Sequence, residues 1–225
     1  GRDATRLETV AAACRDAGAE VVAETVDAVD EAAMKDFVAK VHARRPLDLV
    51  VANAGISEGT GKATETQEQA QRIMRVNVDG VVNTITPAVE LMRAKPDPGT
   101  GPRGHVSIMS SLASFRGFPG APAYCASKAA VRVWGEALRG ELHRFGIEVS
   151  VICPGYVRSR MTATNRFRMP LLMDAERAAR IIRRGVERNR GRIVFPLRMY
   201  LLVRFMLSLP MALTDRLLRQ LPKKD

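Results

Sequence analysis

The sequence predicts an α/β protein built on a doubly wound parallel sheet, three layers deep (αβα), with a helical apolar extension at its C-terminal end. Three observations carry this expectation. Short apolar runs alternate with helix-length stretches along the chain, and regular alternation implies right-handed βαβ units with helices on both faces of a parallel sheet. Small or polar residues follow several of the strand-like runs, as expected where strands end in loops that bind ligands. The chain has 225 residues, 46% of them hydrophobic and 26% charged. That suits one domain with a sizeable core and excludes wholesale disorder, collagen and a disulfide scaffold.

The elements follow in order. A helix over Ala4–Ala17 leads to a short strand at Val21–Ala23, and a helix over Glu31–Arg44 to a strand at Leu47–Ala52. A long helix over Glu65–Met92 precedes the strand Val106–Met109, and Ala123–Phe145 precedes Glu148–Cys153. Ala175–Asn189 and the strand Ile193–Phe195 complete the series. The Val-rich segments Leu49-Val50-Val51 and Val149–Ile152 suit central strands buried on both sides. Asp174 is an N-cap candidate and Gly191 a stop signal. Pro96–Pro102, with Gly99 and Gly101, reads as a surface loop. There is no internal repeat. The domain is expected over residues 1–195, with a basic apolar extension over 196–225.

Charge is unevenly placed. The formal net charge is +11, yet residues 1–157 hold 18 basic and 19 acidic side chains, a net of −1. Residues 158–225 hold 17 basic and 5 acidic, a net of +12. The basic residues there interleave with aliphatics, with few aromatics to stack on bases, so nucleic acid is not the expected partner. Cys14, Cys125 and Cys153 show no CxxC spacing, which argues against zinc and for a reducing, cytoplasmic setting. His42, His105 and His143 lack ligand spacing, and no metal site is expected. Gly1 in place of an initiator Met suggests a processed or truncated form of a longer chain.

Chemistry concentrates at the strand ends. Asn53-Ala54-Gly55, Ser110-Ser111 and Pro154-Gly155 each follow a strand, and three such turns at one sheet edge favour a shared ligand groove. Tyr124 and Lys128 lie four residues apart, on one helix face. An ammonium beside a phenol lowers its pKa from about 10 and suits it to acid–base work. Ser111 lies 13 residues before Tyr124, at the end of the preceding strand.

Asn53-Ala54-Gly55, Asn77, Ser111, Tyr124-x-x-x-Lys128 and Pro154-Gly155-Tyr156-Val157 resemble, in order and spacing, the short-chain dehydrogenase/reductase family and its Rossmann-like fold. The resemblance implies that Tyr124 is the general acid or base at a carbonyl or alcohol, and that Ser111 polarises that oxygen. It implies that Lys128 holds the nicotinamide ribose and depresses the Tyr124 pKa, while Asn77 anchors a water that links Lys128 to solvent. Asn53, Ala54, Gly55 and Gly155 become cofactor contacts, as do Asp27 at the adenine edge and Pro154, Val157 and Ser159 at the nicotinamide carboxamide. The family's Gly-rich TGxxxGIG turn is not found in residues 1–20. Gly1-Arg2-Asp3 resembles the segment after the family's second strand, so two strands and a helix are expected to precede it. Arg2 then stands where relatives receive the 2′-phosphate of NADP, a match for a guanidinium. NADP(H) is the expected cofactor, with NAD(H) the alternative.

Met161, Met169, Leu171, Leu172 and Met173 fall where the family has its mobile substrate lid, which suggests an apolar or lipid-like substrate with Met161 in contact. Residues 193–213 are apolar except for Arg198, Arg204 and Ser208. A span would bury two arginines at ~2.5–3.5 kcal/mol each and would be broken by Pro196 and Pro210. Residues 183–225 therefore read as an anionic-membrane contact on the inner face of a membrane, or as packing in a homo-oligomer, dimer or tetramer. The sequence thus predicts an NADP(H)-dependent oxidoreductase interconverting a carbonyl and a secondary alcohol. The alternative is a catalytically silent scaffold of the same fold that binds membrane or partner through its basic part.

Overall fold

A computed structural model describes residues 1–59, 63–96, 98–165 and 167–218. Four strands form one parallel sheet in the order β1 (Leu49–Ala52), β2 (Gly104–Met109), β3 (Ile147–Pro154), β4 (Arg192–Phe195). Around it lie α1 (Ala4–Asp16), α2 (Glu31–Arg44), α3 (Gln67–Met74), α4 (Gly80–Ala94), α5 (Pro122–Leu142), α6 (Arg160–Ala163) and α7 (Ala175–Glu187). Two helices, α8 (Leu197–Ser208) and α9 (Met211–Leu218), follow the last strand. This is the expected Rossmann-like sheet with a helical C-terminal part.

Successive side chains on a strand face opposite sides, and the two faces differ. Val106, Ile108, Val149 and Ala52 pack with Val81 and Ile85 of α4 and Val131 of α5 in the main core. On the other face Ile152, Ile193 and Phe195 pack against Ala178 and Ile182 of α7. That cover stops short of β1. Leu49 and Val51 are each 46% exposed, and among the described residues β1 pairs with β2 alone, so the Val-rich run expected at the centre of the sheet stands at its edge here. Its composition fits either position, and only its neighbours decide.

Two other elements differ from expectation. Val21–Ala23 forms no ladder, because a strand exists only where a neighbour accepts its hydrogen bonds. What holds this region is Val26 N donating to Gly1 O at 3.0 Å and Asn83 Nδ2 donating to the Ala28 carbonyl at 3.0 Å. The long helix expected over Glu65–Met92 is α3 and α4 joined by a π-helical turn at Arg75–Asp79. A capping box of Thr66 and Gln69 starts α3. Asp174 precedes α7 but makes no side-chain cap bond; its carboxylate pairs with Arg158 at 2.8 Å. Gly191 lies beyond the helix end, and a Cβ there would sit 2.8 Å from Arg139 Nε. The loop between α4 and β2 enters the sheet at the amino end of β2, with Gly99 and Gly101 at positive φ.

Candidate active site

The carboxyl ends of β1, β2 and β3 bring the three turns to one edge. After β2, Ser110 Oγ donates to the Lys128 carbonyl at 2.8 Å. Ser111 caps the 3-10 turn Leu112–Ser114 by accepting from Ala113 N at 3.1 Å. Its hydroxyl also lies 3.5 Å from the Pro154 carbonyl, at the end of β3. Thus Ser111 ties two strand ends together.

Helix α5 presents Tyr124 and Lys128 to this edge. Pro122 opens it, where a missing N–H costs nothing. Ala121 supplies no side-chain cap; Glu65 does so from 58 residues away, its Oε2 accepting from Ala123 N at 3.0 Å. A carboxylate at a helix N-terminus is favourable, and a cap this distant leaves no local sequence signal.

Lys128 is 3% exposed. Its Nζ donates to the Met109 carbonyl at 2.9 Å and lies 5.9 Å from the centroid of the Tyr124 ring. Burial pulls its pKa down to about 8. Burial acts on Tyr124 in the opposite sense, raising the phenol above its ordinary value, while a hydrogen bond with Ser111 partly offsets this. The lowering expected from Lys128 is not seen: desolvation dominates, and the Ser111 hydrogen bond is what opposes it.

Asn77 sits in the π turn and is fully buried. Its Oδ1 accepts from Ile56 N at 2.8 Å, and its Nδ2 donates to the Ile56 carbonyl and to Ser127 Oγ, both at 3.0 Å. Ser127 Oγ in turn donates to the Tyr124 carbonyl at 2.8 Å. The segment after β1 is thereby stapled to the helix that carries Tyr124. Gly55 makes this approach possible, since a Cβ there would lie 3.2 Å from Lys128 Nζ and 3.3 Å from Asn77 Oδ1. The π turn and the bridging Ser127 have no signature in residue type, whereas such bulges recur at functional sites.

The remaining predicted contacts are arranged around this centre. Asn53 and Ala54 are exposed at the end of β1. Gly155 N donates to the Phe195 carbonyl at 2.7 Å. Val157 bridges Met173, and Ser159 is spent on a capping box with Thr162 at the start of α6. Met161, in α6, is half-buried. Arg2 and Asp27 pair with each other at 3.7 Å on the exposed surface. His105 is buried between Glu148 Oε2 at 3.0 Å and Ser150 Oγ at 2.9 Å, a cross-strand cluster that reaches solvent only through the partly exposed Glu148. Burial raises the pKa of Cys125, which suits a packing thiol.

A nicotinamide dinucleotide is the ligand the motif implies, and the residues fit its ribose–nicotinamide end. Lys128 is a buried ammonium with three donors, one of them engaged by the Met109 carbonyl. Its spare donors lie beside an exposed loop and a tyrosine. That is a suitable receiver for a diol.

With this fold and edge in view, comparisons with known proteins identify the class. The short chain dehydrogenase family profile matches residues 1–169. The chain belongs to the short-chain dehydrogenase family. An uncharacterized oxidoreductase of Myxococcus xanthus is 38% identical over 175 residues, covering 78% of this chain and 67% of the relative. A gluconate 5-dehydrogenase from Burkholderia cenocepacia J2315, in complex with NADP and tartrate, superposes with a TM-score of 0.63 at 26% identity, over 72% of this chain and 62% of that one. A short-chain dehydrogenase from Sphingobium yanoikuyae, in complex with NADPH, shares the fold with a TM-score of 0.76 at 23% identity, over 88% and 76%. Other curated oxidoreductases that match, from mycobacteria, are aligned over 27%, 51% or 65% of their length, so the chain spans between about a quarter and two thirds of such relatives.

Proposed function

We propose that this chain carries the catalytic residues of an NADP(H)-dependent oxidoreductase that interconverts a carbonyl and a secondary alcohol on an apolar substrate. The observation that supports it best is the connected set Ser111, Tyr124, Lys128 and Asn77 at one sheet edge. When bound, the nicotinamide supplies or accepts the hydride. In reduction, Tyr124 O–H donates its proton to the carbonyl oxygen, and the Ser111 hydroxyl donates a hydrogen bond to the same oxygen. A phenol whose pKa is raised by burial stays protonated at neutral pH, which suits the acid role. In oxidation Tyr124 must lose that proton, and the Lys128 ammonium nearby favours the phenolate.

The preference for NADP(H) rests on Arg2, whose guanidinium is exposed and held by Asp27 only at 3.7 Å, and on the NADP named for the Burkholderia structure. A relative named as NAD-dependent, 38% identical over 146 residues, keeps NAD(H) as the competing cofactor. The apolar substrate rests on the half-buried Met161 and on Leu171 and Leu172, which line a cleft beside Pro196.

Tyr124→Phe in the full-length protein keeps the ring and removes the proton donor. Its turnover should fall by roughly 10²–10⁴-fold, while NADPH still raises the thermal midpoint. An unchanged reduction rate in this variant would overturn the reading.

A further inference from the structure

Helix α8 is two-faced in an unusual way. Its inner face, Met199 and Tyr200, packs on the turn that follows Ser111, with Tyr200 edge-on to Phe115 at 5.3 Å; Val203 is also buried. Its outer face is apolar as well. Leu197, Leu201, Leu202 and Phe205 are each more than half exposed, as are Met211 and Leu213 of α9. Positions 197, 201 and 205 fall within one arc of about 80° on a helix, with Leu202 about 60° further on. Single exposed leucines need no explanation, but four large apolar side chains along one side of a helix mark an interaction surface.

Charge says what covers it. Arg198 and Arg204 are exposed on α8 itself. Beside the start of α8 lies a cleft of about 380 Å³, lined by Leu171, Leu172, Leu197, Asp174, Arg177 and Arg198. Its one carboxylate, Asp174, is engaged by Arg158. Among the described residues, neither Arg177 nor Arg198 forms an ion pair. Two unpaired guanidiniums next to exposed leucines match a phosphate head group above acyl chains. A second copy of the chain is the poorer occupant. A two-fold contact sets a surface against itself, and residues 158–225 carry a net of +12.

We propose that α8 and α9 dock on an anionic lipid bilayer, with Leu201 and Phe205 entering the acyl boundary and Arg177 and Arg198 holding lipid phosphate. No helix among the described residues is long and apolar enough to cross a membrane, so the contact is interfacial. Arg219, Lys223 and Lys224, cationic residues expected to assist, lie outside the described residues.

The test is sedimentation of the full-length protein with vesicles of phosphatidylglycerol and phosphatidylcholine, against phosphatidylcholine alone. Wild type should pellet with the anionic vesicles, at least roughly ten-fold more tightly than with the neutral ones, and less so as salt rises. Leu201→Asp with Phe205→Asp should abolish pelleting, and Arg177→Glu with Arg198→Glu should weaken it by roughly ten-fold or more. All four side chains are exposed, so thermal midpoints should hold and report that the variants fold. The proposal is overturned if wild type stays in the supernatant, if it binds both vesicles alike, or if the arginine variant binds as wild type does. It is also overturned if analytical ultracentrifugation finds a dimer that Leu201→Asp with Phe205→Asp dissociates while vesicles bind nothing. None of these results depends on turnover, so the catalytic proposal is tested separately.

Discussion

Lys128 is held in a state the fold does not favour. Its buried ammonium has a pKa pulled down to about 8 from an ordinary 10.5. Between those two values the unfolded chain binds more protons than the folded one, so stability rises with pH across that window and the deficit is complete below it. Lys128→Met keeps much of the volume and removes the charge, at the expense of the bond to the Met109 carbonyl. The variant should melt higher than wild type at pH 7, by about 2–4 °C for each kcal/mol released, and should lose the rise between pH 8 and 10.5. A flat wild-type profile over that range, followed by calorimetry, would contradict this. That Ser111, Tyr124, Lys128 and Asn77 gather at one sheet edge was legible in the sequence, because each follows a strand or lies on the helix beside one. The roles of Glu65, Ser127 and Gly55 were not legible. Each acts through a partner 50 or more residues away or through the absence of a side chain.

The elements were read with uneven success, for a physical reason. Helix α5 shows what can be read, since its start at a proline and its periodic buried face are local properties. The strand at Val21–Ala23 and the position of β1 depend on neighbours, which no local pattern encodes. The π turn at Arg75–Asp79 looks helical in composition, and only the hydrogen-bond pattern separates it from its flanks. Packing between elements gives the sharpest prediction. A Cβ at Gly135 of α5 would stand 2.7 Å from Val151 Cγ2 and 2.9 Å from Ile108 Cδ1. Gly135→Ala should therefore lift α5 from β2 and β3 and destabilise the protein by about 1–3 kcal/mol, with turnover falling because Tyr124 and Lys128 ride on that helix. Gly140, in the same helix, has nothing within 4 Å of a Cβ. Gly140→Ala should stabilise by about 0.5–1 kcal/mol, and thermal melts of the two variants should shift in opposite directions.

At the scale of the molecule, the sheet is asymmetric. Its main core is closed beneath α4 and α5, while Leu49 and Val51 of the edge strand face solvent. An exposed apolar edge invites pairing between chains. In the 225-residue chain, Val51→Lys should lower light scattering on concentration, with little change in the thermal midpoint; equal scattering would show that this edge is not the sticky surface. The uneven charge was plain from the sequence, but the two-sided apolar character of α8 was not, because a pattern with leucines all round reads equally as a core helix. The four parallel strands also give the molecule a working pole and a quiet one. The reactive turns gather where the strands finish, and the glycine-bearing loop ahead of β2 lies at the other end, about 20 Å away along the strand. A dye or affinity handle inserted near Gly99 or Gly101 would ride on that quiet pole, reporting where the protein goes without touching what it does there.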